Sequence, residues 1–163
     1  MSMKPLIVLL TVFVISLAAT KVFSSSYHVT LSGRVAMSVM LCFTAIGHFV
    51  FTQGMSMMIP PVVPFRIPVV YLTGIFEIML AVGLLVPKLK VMTGWALIVF
   101  LVLMLPGNIY AAMHQVNYQK GTFDGPGLAY LWFRVPLQLL FIAWTYLSSI
   151  KPMQLVGGPA VGW

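Results

Sequence analysis

Residues 68–86 form an apolar run that is long enough to cross a lipid bilayer as a helix, and the run contains one charged residue, Glu77. A helix rises about 1.5 Å per residue, which places Glu77 roughly 13 Å below the first residue of the run. The hydrocarbon core of a bilayer is about 30 Å thick, so this carboxylate lies near its midplane. An uncompensated carboxylate there costs at least ~2.5 kcal/mol on insertion scales. The rest of the chain must therefore supply groups that compensate Glu77.

The amino-acid composition indicates an integral membrane protein. The 163 residues are 61% hydrophobic and 7% charged, with a mean hydropathy of +1.05, whereas a soluble domain is about one-quarter charged. The net charge of +7 comes from Lys and Arg residues that lie mostly between apolar runs, which suits membrane topology and anionic lipid rather than nucleic acid. A single cysteine forms no internal disulfide and no Cys-x-x-Cys pair. The three histidines are far apart and without neighbouring carboxylates, so we expect no metal site.

Five apolar segments predict five transmembrane helices. They are residues 5–20, 34–52, 68–86, 91–113 and 128–150. The first segment has two interpretations: a signal peptide cleaved near residues 22–24, or an uncleaved helix, which we favour. We therefore divide the chain into an N-terminal helix and connection (1–33), a four-helix membrane domain (34–150) and a C-terminal tail (151–163).

The segment between the second and third predicted helices, residues 53–68, is rich in Met and Pro. Its prolines exclude a regular helix, because each lacks a backbone N–H and restricts the preceding residue. The segment is apolar rather than hydrophilic. We therefore expect it to lie in the membrane interface or to fold back against the bundle.

The distribution of basic residues predicts the orientation in the membrane. With five spans, one side receives Lys4, Arg66 and Lys120, and the other receives Lys21, Arg34, Lys88, Lys90 and Lys151. The side with more Lys and Arg is cytoplasmic by the positive-inside rule. This places the N-terminus outside and the C-terminus in the cytoplasm.

Polar residues on four different predicted helices fall at similar depths in the outer half of the membrane. They are His48, Glu77, Asn108, Arg134 and Gln138. Intramembrane polar residues usually face the bundle interior and pair with one another. Arg134 is the one cation well inside a predicted span, so we predict that it contacts Glu77 directly or through water.

Each of these residues also has a purely structural interpretation. A Glu–Arg pair can serve only to fix the register of two helices. His48 can be an interfacial or a satisfied core histidine. Asn108 can bind the backbone carbonyls that Pro106 frees when it interrupts its helix.

Several sequence blocks between residues 34 and 150 resemble the DoxX-like family of small bacterial membrane proteins. The blocks are Gly47-His48-Phe49, the Pro-rich loop, Tyr71-Leu-Thr-Gly-Ile-Phe-Glu77-Ile, Leu105-Pro-Gly-Asn-Ile-Tyr110, and Phe133-Arg-Val-Pro-Leu-Gln138 with Ala143-Trp144. The resemblance implies a four-helix bundle in the bacterial cytoplasmic (inner) membrane, to which residues 5–23 are an addition. It also implies a link, in some relatives, to quinone reduction as a subunit of thiosulfate:quinone oxidoreductase. Other relatives are linked to oxidative-stress complexes or to membrane-protein assembly.

Three functional hypotheses follow. The first is a small subunit that binds an apolar ligand such as a quinone, or supports a membrane redox complex, because such a site needs an apolar cleft with a few polar groups. Side chains alone do not store electrons, so redox work requires a partner or a bound cofactor. The alternatives are a non-catalytic assembly or interaction subunit and a small transporter. Membrane lipid and another membrane protein are the expected partners. The ligand-binding candidates are His48, Glu77, Asn108, Tyr110, Arg134 and Gln138.

Overall fold

A computed structural model describes residues 3–151, in which helices joined by loops are the regular secondary structure and no β-strand is present. The helices are α1 (Lys4–Ser24), α2 (Val29–Val50), α3 (Thr52–Ser56), α4 (Arg66–Leu85), α5 (Lys90–Met113) and α6 (Ala129–Thr145), and α6 continues as a π-helical turn (Tyr146–Ile150). The prediction of an all-helical chain is confirmed. The predicted tail lies outside the described residues from position 152 onward.

Five of these helices are long and apolar enough to cross a membrane, as the sequence predicts. They are α1, α2, α4, α5 and the combined segment Ala129–Ile150. Helix α1 differs from the others in its packing, because only 6% of its most apolar window is buried, against 44% for α2. Helix α1 therefore packs on the outside of the bundle along one face, which carries Leu9, and its remaining surface is half-buried or exposed.

Two helices begin earlier than expected. Helix α4 begins at Arg66, ahead of Pro68, because a proline in the first turn removes a backbone N–H that has no partner within the helix. Helix α2 begins at Val29 rather than at residue 34. Its first turns pack on the end of α6, where Trp144 Nε1 donates to the carbonyl of Gly33 at 3.0 Å, and this tertiary contact extends the helix.

Helices α2, α4, α5 and α6 form a closed ring in which each contacts the next, and α1 packs against α2. The ring encloses an apolar core whose members include Met37, Leu41, Leu80, Leu84, Leu97 and Phe141. Helix α1 contributes Leu9 to the same core. This core fills the middle of the bundle and leaves a cavity at the end where α2 finishes and α4 begins.

Candidate functional site

The cavity at this end of the ring has a volume of about 220 Å³. Every ring helix contributes to its lining, and so do the start of α1 and the two loops that follow α2 and α5. Four of the six predicted ligand-binding candidates line it: His48, Glu77, Asn108 and Arg134. The structure therefore gathers most of the predicted polar layer around one space.

Two side chains of helix α2 contact the carboxyl group of Glu77 and offset the cost of burying it. Its Oε1 lies 3.6 Å from Nε2 of His48, and the two side chains are 11% and 13% exposed. Its Oε2 accepts a hydrogen bond of 2.9 Å from the hydroxyl of Thr44. Thr44 and His48 are four residues apart and so lie on one face of α2. This face meets α4 and contacts both carboxyl oxygens.

The second ring nitrogen of His48 contacts helix α4. Nδ1 lies 3.2 Å from the carbonyl oxygen of Val70 and 3.0 Å from the hydroxyl oxygen of Thr73, and that hydroxyl donates to the same carbonyl at 2.8 Å. The carbonyl only accepts, whereas the hydroxyl can donate or accept, so these contacts are compatible with either tautomer of His48. The two contacts hold the imidazole with Nε2 directed at the carboxyl group of Glu77.

Gly74 lets α4 approach His48 closely. A Cβ at this position would lie 2.9 Å from Cβ of His48, which is closer than real Cβ contacts. Gly74 is one turn before Glu77, so the absence of a side chain there brings the imidazole within reach of the carboxyl group.

Arg134 lines the same cavity but does not form the predicted direct ion pair with Glu77. The ion pairs within residues 3–151 are His48–Glu77 and Lys120–Asp124. The direct contact is absent because Thr44 and His48 already occupy the carboxyl oxygens; a contact through water across the shared cavity stays a prediction. The Nε of Arg134 is buried and has no hydrogen-bond partner among the described residues. Buried donors are nearly always satisfied, so a free guanidinium N–H beside a cavity marks a place for an acceptor.

Asn108 and Gln138 form a link behind this cavity. Asn108 Nδ2 donates to Gln138 Oε1 at 3.4 Å, and Gln138 Nε2 donates to the carbonyl of Leu101. Pro106 has no backbone N–H to donate to the carbonyl four residues before it in α5. The carbonyl of Leu101 is next to that one in the chain. Gln138, rather than Asn108, thus hydrogen-bonds the backbone near the proline, and Asn108 joins Gln138 to the cavity wall.

Tyr110 is not brought to the cavity. Its ring packs against His114 on the next turn, with the ring centroids 4.0 Å apart, and it is absent from the cavity lining.

The sequence interpretation missed Thr44 and Thr73. A signal for both was present, because Thr44 precedes His48, and Thr73 precedes Glu77, by four residues.

Two loops line the end of the cavity, and the first of them begins with the short helix α3. Met55 lies on α3 and Met58 follows it in the Pro-rich segment, and Tyr118 comes from the loop after α5. The loops are in backbone contact, because a Cβ on Gly54 would lie 1.8 Å from the carbonyl oxygen of Tyr118. The rings of Phe51 and Tyr118 also meet edge to face at 6.1 Å.

The loop after α5 also carries the second acidic residue, Asp124. Its carboxylate accepts a hydrogen bond from Thr122 and lies 3.6 Å from the ammonium of Lys120. The hydrogen bond from Thr122, and then the charge of Lys120, hold the pKa of Asp124 below its ordinary value. Asp124 is exposed and lies outside the cavity lining.

The described part of the chain, residues 3–151, contains no group of three or more His, Cys, Asp or Glu that could hold a metal ion. The donors around the cavity are imidazole, carboxyl, guanidinium and amide groups on different helices. These groups can bind, orient and protonate an organic ligand.

The fold defines an all-helical chain whose five membrane-length helices are compatible with a multi-pass membrane protein. A family model described as a domain of unknown function (DUF8561) matches residues 37–149, more than two-thirds of the 163 residues. The chain belongs to this family. No curated protein and no solved structure matches the chain. The matched interval contains Thr44, His48, Glu77 and Arg134 and leaves out α1.

Proposed function

We propose that this protein binds a lipid-soluble ligand with hydrogen-bond-accepting oxygens in the cavity, and that the ligand is a quinone. The observation that carries the proposal is the buried, unpartnered Nε of Arg134 in the same cavity as the His48–Glu77 pair. A quinone presents two carbonyl oxygens on a flat apolar ring. Arg134 donates to one of them, and the proton of the His48–Glu77 pair serves the other.

The remaining lining suits the ring of such a ligand. Met40, Leu41 and Phe141 line the cavity and belong to the apolar core. Ligand sites are mostly apolar, with a few polar groups that fix orientation. Apolar contact with the ring and two directed polar contacts together satisfy that requirement.

The proposal assigns binding and proton supply to this chain. Reduction of a quinone to a hydroquinone takes up two electrons and two protons. The electrons come from a partner subunit that carries a redox cofactor, such as a flavin or haem. The His48–Glu77 pair passes one proton to the ligand, and the second proton comes from the outer aqueous phase. The chain is thus a small subunit of a membrane redox complex.

We also propose that the DoxX-like resemblance reflects a shared fold and a bacterial cytoplasmic-membrane location. In support, the resembling blocks other than the Pro-rich loop fall on α2, α4, α5 and α6, which are the helices of the closed ring. With the N-terminus outside, the cavity lies in the outer half of the membrane. A quinone bound there exchanges protons with the outer aqueous phase.

Ligand titration tests the proposal. The protein is placed in nanodiscs and titrated with a short-tailed benzoquinone, and binding is followed by quenching of tryptophan fluorescence. Arg134→Gln should weaken binding by about tenfold or more, which corresponds to at least about 1.4 kcal/mol. Arg34→Gln is the matched control, because Nε of Arg34 is also buried without a partner but Arg34 does not line the cavity. Equal affinity of Arg134→Gln and the wild type would contradict the proposal.

Co-purification separates this function from a role in assembly. Mild extraction of the chain from native membranes should retain a dehydrogenase or a flavin- or haem-containing subunit. A non-redox client protein with no bound quinone would instead indicate an assembly or interaction subunit.

A further inference from the structure

One side of the cavity opens through apolar residues of α2. Phe43, Ile46 and Val50 line the cavity and yet are 39%, 60% and 65% exposed. Their spacing places them on one stripe of the helix. Lys4 and Pro5, at the start of α1, form the facing edge. We call this opening, formed by these five residues, the lateral mouth.

The lateral mouth faces the hydrocarbon when the five long helices cross a bilayer. Val50 is the last residue of α2, and Phe43 lies seven residues deeper, or about 10 Å at 1.5 Å per residue. An apolar stripe at these depths is in contact with lipid chains. The cavity is therefore continuous with the bilayer interior along the stripe.

The end of the cavity, in contrast, is lined by the two loops, which the backbone contact between Gly54 and Tyr118 joins. Of their lining residues, Met55, Met58 and Tyr118 are half-buried and Gln119 is exposed. A bulky ligand that entered between the loops would have to separate them. A ligand already dissolved in the membrane needs no such rearrangement.

The size of the cavity indicates which part of a ligand it holds. Its volume of about 220 Å³ is below the ~300–1,000 Å³ of pockets that enclose a whole drug-sized molecule. A ring-sized head fits inside, and a long alkyl or isoprenoid tail does not. The tail of such a ligand must leave through an opening, and the lateral mouth is apolar where the tail would pass.

We propose that the ligand is a long-tailed amphiphile that enters from the bilayer through the lateral mouth and keeps its tail there. The inference rests on the proposed function for the polar head, which lies at Arg134 and His48, and adds the route and the tail. The chemistry required of the head is a hydrogen-bond-accepting oxygen. Both a quinone and a fatty-acid carboxylate provide it, so the test includes both.

Narrowing the lateral mouth tests the inference. Ile46→Trp enlarges a side chain at the mouth without touching Arg134 or His48. Val39→Trp is the matched control, because Val39 lies seven residues earlier on the same side of α2, is 41% exposed and does not line the cavity. Each variant is titrated in nanodiscs with a quinone that carries a ten-carbon tail and with the same quinone without a tail.

The expected result is a loss of about tenfold or more in affinity for the tailed quinone in Ile46→Trp, with the tail-less quinone within twofold of the wild type. Val39→Trp should change neither affinity. Unchanged affinity of Ile46→Trp for the tailed quinone would overturn the lateral mouth and leave the proposed function standing. Unchanged affinity of Arg134→Gln for both quinones would overturn the proposed function instead.

Photolabelling gives a second test that needs no folded variant. A quinone whose tail ends in a diazirine should label residues 43–50 or the first turn of α1 in the wild-type protein. Label in residues 55–58 or 118–119 would overturn the inference, because the tail would then leave through the loops.

A fatty acid of equal tail length is added as competitor and should not displace the quinone. Displacement would assign a carboxylate head and overturn the quinone, while label at 43–50 would still support the lateral mouth.

Discussion

Nε2 of His48 on α2 lies 3.6 Å from Oε1 of Glu77 on α4. This contact joins the one acidic residue of the long helices to a titratable partner on the neighbouring helix. Thr44 contacts the other carboxyl oxygen, and Thr73 contacts the other imidazole nitrogen. Both members of the pair are thus held by hydroxyl groups, and the pair lies at the cavity wall.

A double-mutant cycle should show that the two residues act together. Removing one member of a buried pair typically costs ~3–5 kcal/mol, because the other is left uncompensated. We expect His48→Gln and Glu77→Gln each to lower the free energy of unfolding in detergent, measured with a chemical denaturant. The double variant should lose less than the sum of the two single losses. Strictly additive losses would show that the residues are not coupled.

Gly74 should be sensitive to the addition of a single methyl group. Gly74→Ala places a Cβ 2.9 Å from Cβ of His48, and overpacking of this kind typically costs ~1–3 kcal/mol. The measurement is the thermal unfolding midpoint together with quinone affinity, and both should fall. Gly47→Ala is the control, because its Cβ meets only Met55 at 3.5 Å. Equal stability of the two variants would contradict the close approach of α4 to His48.

The number and type of helices follow directly from the sequence, because length and apolarity alone decide whether a helix can cross a membrane. The depths of His48, Glu77, Asn108 and Arg134 also follow, since depth is a count of residues along a helix. These four residues do line one cavity.

The partner of Glu77 does not follow from depth, because depth leaves the rotation of each helix about its axis open. The structure turns the Thr44–His48 face of α2 toward α4, and Gly74 permits that contact. The sequence interpretation chose Arg134 as the partner of Glu77 because it carries a full positive charge. In the structure, the imidazole of His48 and the hydroxyl of Thr44 contact the carboxyl group instead. Spacings of four residues between Thr44 and His48, and between Thr73 and Glu77, were the available signal.

The loop after α5 should depend on pH through Asp124. The pKa of this residue in the folded protein is lowered by Thr122 first and then by Lys120. The stabilisation is therefore fully present above the ordinary pKa of about 3.9, and it is lost as the pH falls through the lower value in the folded state. We expect proteolytic cleavage between residues 117 and 124 to increase only below about pH 4. Thr122→Val should raise the pKa of Asp124 in an NMR titration, and an unchanged titration would contradict this assignment.

The predicted orientation places the Pro-rich loop outside and the turn after α4 in the cytoplasm. Single cysteines at Val62 and Leu89, which are 86% and 41% exposed, test it in a chain whose native Cys42 is replaced by alanine. An impermeant thiol reagent applied to intact cells should label position 62 and not position 89. Lysed cells, in which both positions react, provide the control. The opposite labelling pattern would reverse the orientation.

Infrared spectroscopy of a bound quinone with ¹³C-labelled carbonyls tests the central claim most directly, because hydrogen bonding lowers the stretching frequency of each carbonyl separately. With the wild-type protein in nanodiscs, both carbonyl bands should lie below their positions for the same quinone in an apolar solvent. Arg134→Gln should return one band toward the solvent position, and His48→Gln should return the other. Two bands that stay at the apolar-solvent positions in the wild-type protein would contradict the binding of a quinone by Arg134 and the His48–Glu77 pair.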